Sequence, residues 1–285
     1  MKKTNGPILR HTANFWSMCG YPSAKKEWSL ERKVKAIKEA GFDAVASSGY
    51  PEVKRLCEKY DLTLVGYFSS GKAKDFRRLL LENKEAGAHH INVQLADEDT
   101  LTPEALSLTL RLMAEGDKLG LEPAVEIHRD TCTETPEKAY ALADAYRKKT
   151  GKTLRMTLDY SHVAVVKHLH AGNFSSFLLR RPDIIRHTQQ IHLRPFNGHH
   201  CQVPVTDGRG NLTSEVLDYM RFVEDLFRLW RVGQPAGREL FACPEMGPYG
   251  GYNVSTWPSS WEDAVVLRGL IQKAWVASAK PAKKS

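Results

Sequence analysis

A chain of 285 residues, 42% hydrophobic and 26% charged, has the composition of a globular protein with a sizeable core, which excludes disordered and fibrous classes. Its net charge of +8 gathers at the ends: setting aside Lys2, Lys3, Lys280, Lys283 and Lys284 leaves about +3 for the body, too little for a surface that tracks nucleic-acid phosphates. With no run near the ~18 apolar residues that cross a bilayer, no apolar leader at the start and five scattered cysteines never in a CxxC pair, the expectation is a cytoplasmic protein with free thiols.

Short apolar or β-branched runs alternate with longer amphipathic stretches roughly every 30 to 40 residues. The first strand is predicted at Ile8–Ala13 with its helix at Leu30–Ala40, and the second pair at Ala44–Ser47 and Pro51–Tyr60. Leu62–Tyr67 and Lys74–Ala86 follow, then Ile91–Leu95 and Pro103–Leu119. The second half repeats the pattern with Ala124–His128 and Pro136–Lys149, then Arg155–Asp159 and Asn173–Arg180. It closes with Gln190–Arg194 and Ser214–Trp230, then Leu240–Glu245 and Trp261–Ala277. Pro51, Pro103 and Pro136 stand near helix starts, where a missing N–H costs nothing, while Gly41, Gly87, Gly120 and Gly151 follow helix ends. No linker or composition shift divides residues 6–277, so a single domain is expected there, with a disordered basic tail at 278–285. Eight strand–helix units in one undivided α/β domain predict a closed (β/α)8 TIM barrel. The competing open, doubly wound sheet lacks its glycine-rich GxGxxG or Walker loop after any early strand.

In such a barrel the active site lies at the C-terminal strand ends, so inward side chains there should be polar and mutually compatible. Alternation puts Glu126 and His128 on one face of the fifth strand, Thr157 and Asp159 on one face of the sixth, and His192 and Arg194 on one face of the seventh. The eighth ends in Glu245. Glu126, Asp159, His192 and Glu245 thus converge on one funnel, where three carboxylates repel unless a cation resolves the cost. Three oxygens and one nitrogen suit one divalent metal, Mn²⁺ first, with Mg²⁺, Co²⁺ or Zn²⁺ as alternatives.

These motifs, Glu126-Ile127-His128, Asp159-Tyr160-Ser161-His162, Ile191-His192-Leu193-Arg194 and the strand-end Glu245, resemble the xylose isomerase-like TIM-barrel superfamily across nearly all of residues 6–277. Asp207-Gly208-Arg209-Gly210-Asn211 resembles the glycine-containing segment after that family's seventh strand. The resemblance implies that Glu126, Asp159, His192 and Glu245 hold the metal, that Glu126 and Glu245 also exchange the substrate proton, and that His162 and Arg194 hold substrate oxygens. Two departures narrow it. The second to fourth strands end in Ser47-Ser48, Gly66-Tyr67-Phe68 and Gln94-Leu95-Ala96, which leaves the trinuclear cluster of endonuclease IV-like repair nucleases unfilled, and no clean ligand set for a second, hydride-shifting metal is found.

Other polar residues have blander readings. His128 either supports Glu126 by a hydrogen bond or touches substrate; His11, late in the first strand, and Trp16, beside Phe15, are candidate substrate contacts. His199-His200 reads as a solvated loop pair, and His89-His90, at the strand end away from the chemistry, as structural. Pro195 holds Arg194 extended, and an inward cation there fits a substrate oxygen or anion. Gly247-Pro248-Tyr249-Gly250-Gly251-Tyr252 is either a pocket rim or an ordinary turn. The expected function is a metal-dependent sugar or keto-sugar isomerase or epimerase with a small-molecule carbohydrate substrate, no nucleic-acid or membrane partner, and homo-oligomerisation left open. A lyase or dehydratase acting on an inosose-like or 3-keto-glycoside substrate is the alternative, ahead of a nuclease or a non-catalytic binding protein.

Overall fold

The computed structural model describes residues 6–280. Eight parallel strands, β1 (Ile8–Asn14), β2 (Ala44–Ser47), β3 (Thr63–Ser70), β4 (His90–Leu95), β5 (Glu122–Glu126), β6 (Met156–Asp159), β7 (Gln190–His192) and β8 (Glu239–Cys243), pair in sequence order. β1 closes on β8 through Ile8↔Glu239 to His11↔Ala242, so the barrel has no sheet edge. Helices α1 (Leu30–Glu39), α2 (Pro51–Tyr60), α3 (Ala73–Glu85), α4 (Thr102–Leu119) and α5 (Pro136–Thr150) cover the first half. The three pieces α6 (Tyr160–Val166), α7 (Phe174–Leu178) and α8 (Pro182–His187) precede β7, with α9 (Ser214–Arg231) after it and α10 (Ser260–Ser278) last. Among the described residues no helix is long and apolar enough to cross a membrane.

Local chemistry sets these elements. In α9, Thr213 caps the first turn by accepting from the Val216 N–H, and Val216, Tyr219, Phe222, Val223, Leu226, Phe227 and Trp230 recur at helical spacing and are all buried. Each such large side chain taken wholly out of water contributes about 1.5–3 kcal/mol before the entropy of ordering it. α4 and α5 stop at Gly120 and Gly151, which take φ of 68° and 73° in the left-handed region that other residues avoid.

The predicted barrel and all eight strand positions are present, but three strands end sooner than the alternation implied. β5 stops at Glu126 instead of His128, β7 at His192 instead of Arg194, and β8 at Cys243 instead of Glu245. Pairing fades over one further residue, with the Ile127 and Leu193 N–H groups still donating to the Thr157 and Cys243 carbonyls at 3.0 and 2.7 Å. The single helix predicted over Asn173–Arg180 is replaced by α6 to α8, because Asp159 caps a helix that begins immediately after β6. Ser278, the first residue of the expected tail, closes α10, and residues 281–285 lie outside the described residues.

Candidate active site

At the C-terminal ends of the strands a cavity of about 490 Å³ opens, with Glu126, His192, Arg194 and Glu245 on its floor and Trp16, Tyr249 and Tyr252 at its wall. Glu126 is the last residue of β5, its Oε2 accepting from Asn92 Nδ2 of β4 at 2.8 Å. Asp159, wholly buried, ends β6 and turns one oxygen back to its own chain, accepting from Ser161 N at 2.9 Å and Ser161 Oγ at 2.6 Å. Its other oxygen meets Arg194 and stands 3.4 Å from His162 Nε2. Arg194 in turn donates to Glu245 Oε2 at 2.9 Å, and Asn14 Nδ2 of β1 donates to Glu245 Oε1 at 3.2 Å. His192 Nδ1 lies 2.7 Å from Glu126 Oε1 and 3.3 Å from Glu245 Oε2. One donor atom from each of Glu126, Asp159, His192 and Glu245 fits within 4.8 Å of every other.

The charges of this group are balanced by one another inside the fold. Burial pushes the Glu126 carboxyl up, but the charge and close contact of His192 outweigh it and hold Glu126 down at about 2. Burial likewise opposes ionisation of Asp159 and Glu245, and each is nevertheless held below its usual range, Asp159 by Arg194 and His162, Glu245 by His192 and Arg194. For His192 burial works against the charged ring, and the two glutamates override it, raising the imidazole well above its usual value. Three carboxylates therefore face two cationic groups in a buried space.

The donor set fits a divalent ion. His192 Nδ1 is buried and close to two carboxylate oxygens, yet it lies off the direction of a hydrogen bond to either, as donors aimed at a common point do. Bonds of about 2.0–2.2 Å to one ion place donors up to about 4.4 Å apart, close to the 4.8 Å within which all four donor atoms lie, and the Arg194 Nη2 that meets Asp159 and Glu245 must turn aside for the ion. One imidazole and three carboxylates match an ion such as Mn²⁺ or Mg²⁺.

No family model and no curated protein matches the chain. Solved structures do. An L-ribulose 3-epimerase superposes with a TM-score of 0.66 at 12% identity, covering 95% of this chain and 96% of its own. A D-allulose 3-epimerase from Methylomonas sp. gives a TM-score of 0.60 at 16% identity over 97% and 98% of the two chains. A xylose isomerase-like TIM barrel protein from Mycobacterium smegmatis in complex with magnesium gives 0.55 at 13% over 93% and 97%. The chain shares its (β/α)8 barrel fold with these proteins.

Within this barrel the remaining candidates fall into two groups. Arg194, Trp16 and His128 line the cavity. The Arg194 guanidinium lies 4.4 Å from the Tyr252 ring centre, and Trp16 meets the same ring edge-on at 4.9 Å, so the Gly247–Tyr252 segment is a cavity rim. His128 makes no hydrogen bond to Glu126; its Nδ1 faces the Arg129 carbonyl and its ring packs 4.4 Å from that of His162. His162 is not brought to the cavity wall: it lies in α6, behind Asp159. His11 is also not brought there, since alternation along β1 turns Thr12 and Asn14 inward and sends the His11 ring outward to Gln272 Oε1 of α10 at 2.8 Å. His199 and His200 sit in an exposed turn held by Asn197.

Asn14, Asn92, Tyr67 and Gln94 also line the cavity, and sequence reasoning passed over them because neutral side chains carry no charge conflict to notice. Their signal was positional: Asn92 and Gln94 alternate on β4, as Glu126 does on β5. Tyr67 donates to Gln94 Oε1 at 2.9 Å, and burial together with the nearby Glu126 and Glu245 pushes its phenol up to about 12, keeping it a neutral donor.

Proposed function

We propose that this chain is a divalent-metal-dependent epimerase or isomerase of a sugar, keto-sugar or related polyhydroxy carbonyl compound, acting by proton transfer at the carbon beside the carbonyl. The observation that supports it most is the approach of Glu126 and Glu245, from β5 and the end of β8, to within 4.8 Å of each other and of Asp159 and His192. The epimerases that share the fold agree with this reading.

When bound, a divalent ion supplies positive charge against the negative charge that develops on the substrate oxygens. Glu126, Asp159, His192 and Glu245 would hold it, and Mn²⁺ is the first ion to test. Glu126, kept ionised, accepts the proton from one side of the reacting carbon; Glu245, also ionised at rest, takes up a solvent proton and delivers it from the other side, which inverts the centre, and Glu126 then gives its own proton to solvent. Asn92 fixes the plane of the Glu126 carboxylate, and Asn14 and Arg194 fix that of Glu245. Buried Nε and Nη1 of Arg194 have no protein partner and would hold substrate oxygens. Trp16 and Tyr252 wall the reacting carbon from water. His162 would steady Asp159 rather than touch the sugar.

The test is a panel of ketoses incubated with the Mn²⁺-loaded protein in D₂O. Solvent deuterium at the carbon next to the carbonyl is expected in both substrate and product. Turnover with no label refutes proton transfer, and accumulation of an ultraviolet-absorbing unsaturated ketone assigns the same bases to elimination instead.

A further inference from the structure

The opposite end of the barrel carries donor atoms that the proposed reaction does not use. β4 opens with His90 and β5 with Glu122, and these two are direct register partners. The Glu122 N–H donates to the His89 carbonyl at 2.9 Å, so two paired strands fix the spacing of all three residues. His90 Nδ1 stands 3.1 Å from Glu122 Oε2, and His89 Nε2 stands 3.9 Å from the same oxygen. The three donor atoms lie within 4.8 Å of one another.

That oxygen is the informative atom. Glu122 Oε2 is buried and without a hydrogen-bond partner, although two imidazoles approach it. His90 offsets the charge of that oxygen at 3.1 Å, but neither ring nitrogen is aimed along a hydrogen bond to it, which leaves its lone pairs open to an ion. An ion at about 2.0–2.1 Å from each donor puts neighbouring donors about 2.9 Å apart in octahedral and about 3.4 Å apart in tetrahedral geometry. The His90–Glu122 spacing of 3.1 Å falls between these values without any movement. The His89–Glu122 spacing of 3.9 Å must close by about half an ångström, and the His89 side chain, 58% exposed, is free to turn and open to solvent. The His90 ring is held, with only 12% of its side chain exposed and its centre 4.9 Å from that of Phe241.

We propose that His89, His90 and Glu122 form a second metal site, structural in role, at the N-terminal end of the barrel, binding a late first-row transition ion such as Zn²⁺, Ni²⁺ or Cu²⁺. Two imidazoles and one carboxylate favour these ions over Mg²⁺ or Ca²⁺, which take oxygen. Three protein donors leave the remaining positions to water. The cations that share this end limit the affinity without cancelling it: Arg155 is paired to Asp117 at 3.0 Å, and Arg238 donates to the His187 carbonyl at 2.8 Å. The bound ion ties the first residues of β4 and β5 together, at the barrel face where side chains serve stability.

Untagged, metal-stripped full-length chain carrying Asp159→Asn, which disables the cluster at the other end, is titrated with Ni²⁺ by calorimetry. One equivalent is expected to bind, and to raise Tm by about 5–10 °C at a hundredfold excess over Kd. Adding His89→Ala, or separately Glu122→Gln, should weaken binding at least tenfold and abolish the Tm shift. Cu²⁺ on the Asp159→Asn protein should show coupling to two imidazole nitrogens, falling to one with His89→Ala. If Asp159→Asn does not fold, His192→Gln replaces it in every arm. No binding by the parent of the series, or binding unchanged by both substitutions, overturns the site and leaves His90 and Glu122 as an ordinary ion pair.

Discussion

One methyl group at Gly247 should open the cavity wall. A Cβ built there would lie 2.1 Å from Trp16 Cη2, 2.3 Å from Cζ2 and 2.7 Å from Cζ3, well inside contact distance of the ring. The backbone cannot retreat, because Gln202 grips it at both ends: its Oε1 accepts from the Gly247 N–H at 2.7 Å and its Nε2 donates to the Gly247 carbonyl at 2.9 Å. Trp16 must therefore leave, giving up its edge-on contact with Tyr252. Overpacking of this kind costs about 1–3 kcal/mol, and at about 2–4 °C per kcal/mol for a chain of this size Gly247→Ala should lower Tm by about 2–12 °C. The same displacement removes a wall of the proposed sugar site, so KM should rise more than kcat falls. Thermal melts and steady-state kinetics of Gly247→Ala, Trp16→Leu and the double variant decide the matter. Trp16→Leu makes room, so the double variant should be no less stable than Trp16→Leu alone. Additive losses, or a Gly247→Ala protein as stable and active as its parent, refute the reasoning.

Asp159→Ala leaves Arg194 buried with Glu245 as its remaining carboxylate partner, and should cost about 3 kcal/mol in urea unfolding, with Asp159→Asn costing less; equal stability of all three proteins contradicts the ion-pair account. Asn92→Ala frees the Glu126 carboxylate to rotate, and should lower kcat about 10–100-fold with little change in Tm, read from turnover under saturating substrate. Burial pushes the Cys132 thiol up to about 12 from 9.0, so the folded state keeps it protonated where the unfolded chain ionises it. That stability is whole below about pH 9 and is lost as pH climbs from there toward 12, so Cys132→Ala should flatten the alkaline limb of the stability profile, and an unchanged limb counts against it. With Cys57, Cys132 and Cys243 buried, a thiol reagent at pH 8 should modify Cys19 and Cys201 alone until the protein is unfolded.

The barrel was legible because its signals are local and repeated: strand-length apolar runs, prolines at Pro51 and Pro136 as first helical residues, and Gly120 and Gly151 as left-handed caps. The convergence of Glu126, Asp159, His192 and Glu245 was legible for a different reason, since strand-end charge in a closed parallel barrel has one place to go. Tyr160–Val166 falls between the sixth strand and its predicted helix; the Asp159-x-Ser161 pattern, in which the carboxylate accepts the Ser161 N–H, was the helix-start signal to weigh. The face taken by His11 was not legible, because β1 is Leu9, His11 and Ala13 on one side and Arg10, Thr12 and Asn14 on the other, with polar groups on both. The need for glycine at position 247 was invisible for a further reason: it is imposed by a ring more than two hundred residues away in the chain.

Four strand-end side chains are proposed to close on one divalent cation. Crystals grown with Mn²⁺ and measured at the manganese edge test it directly. An anomalous peak about 2.0–2.2 Å from donor atoms of Glu126, Asp159, His192 and Glu245, absent from Asp159→Asn crystals, is the predicted result. An empty floor with the His192 ring still between the two glutamates at saturating Mn²⁺, or a peak held equally well without Asp159, contradicts it.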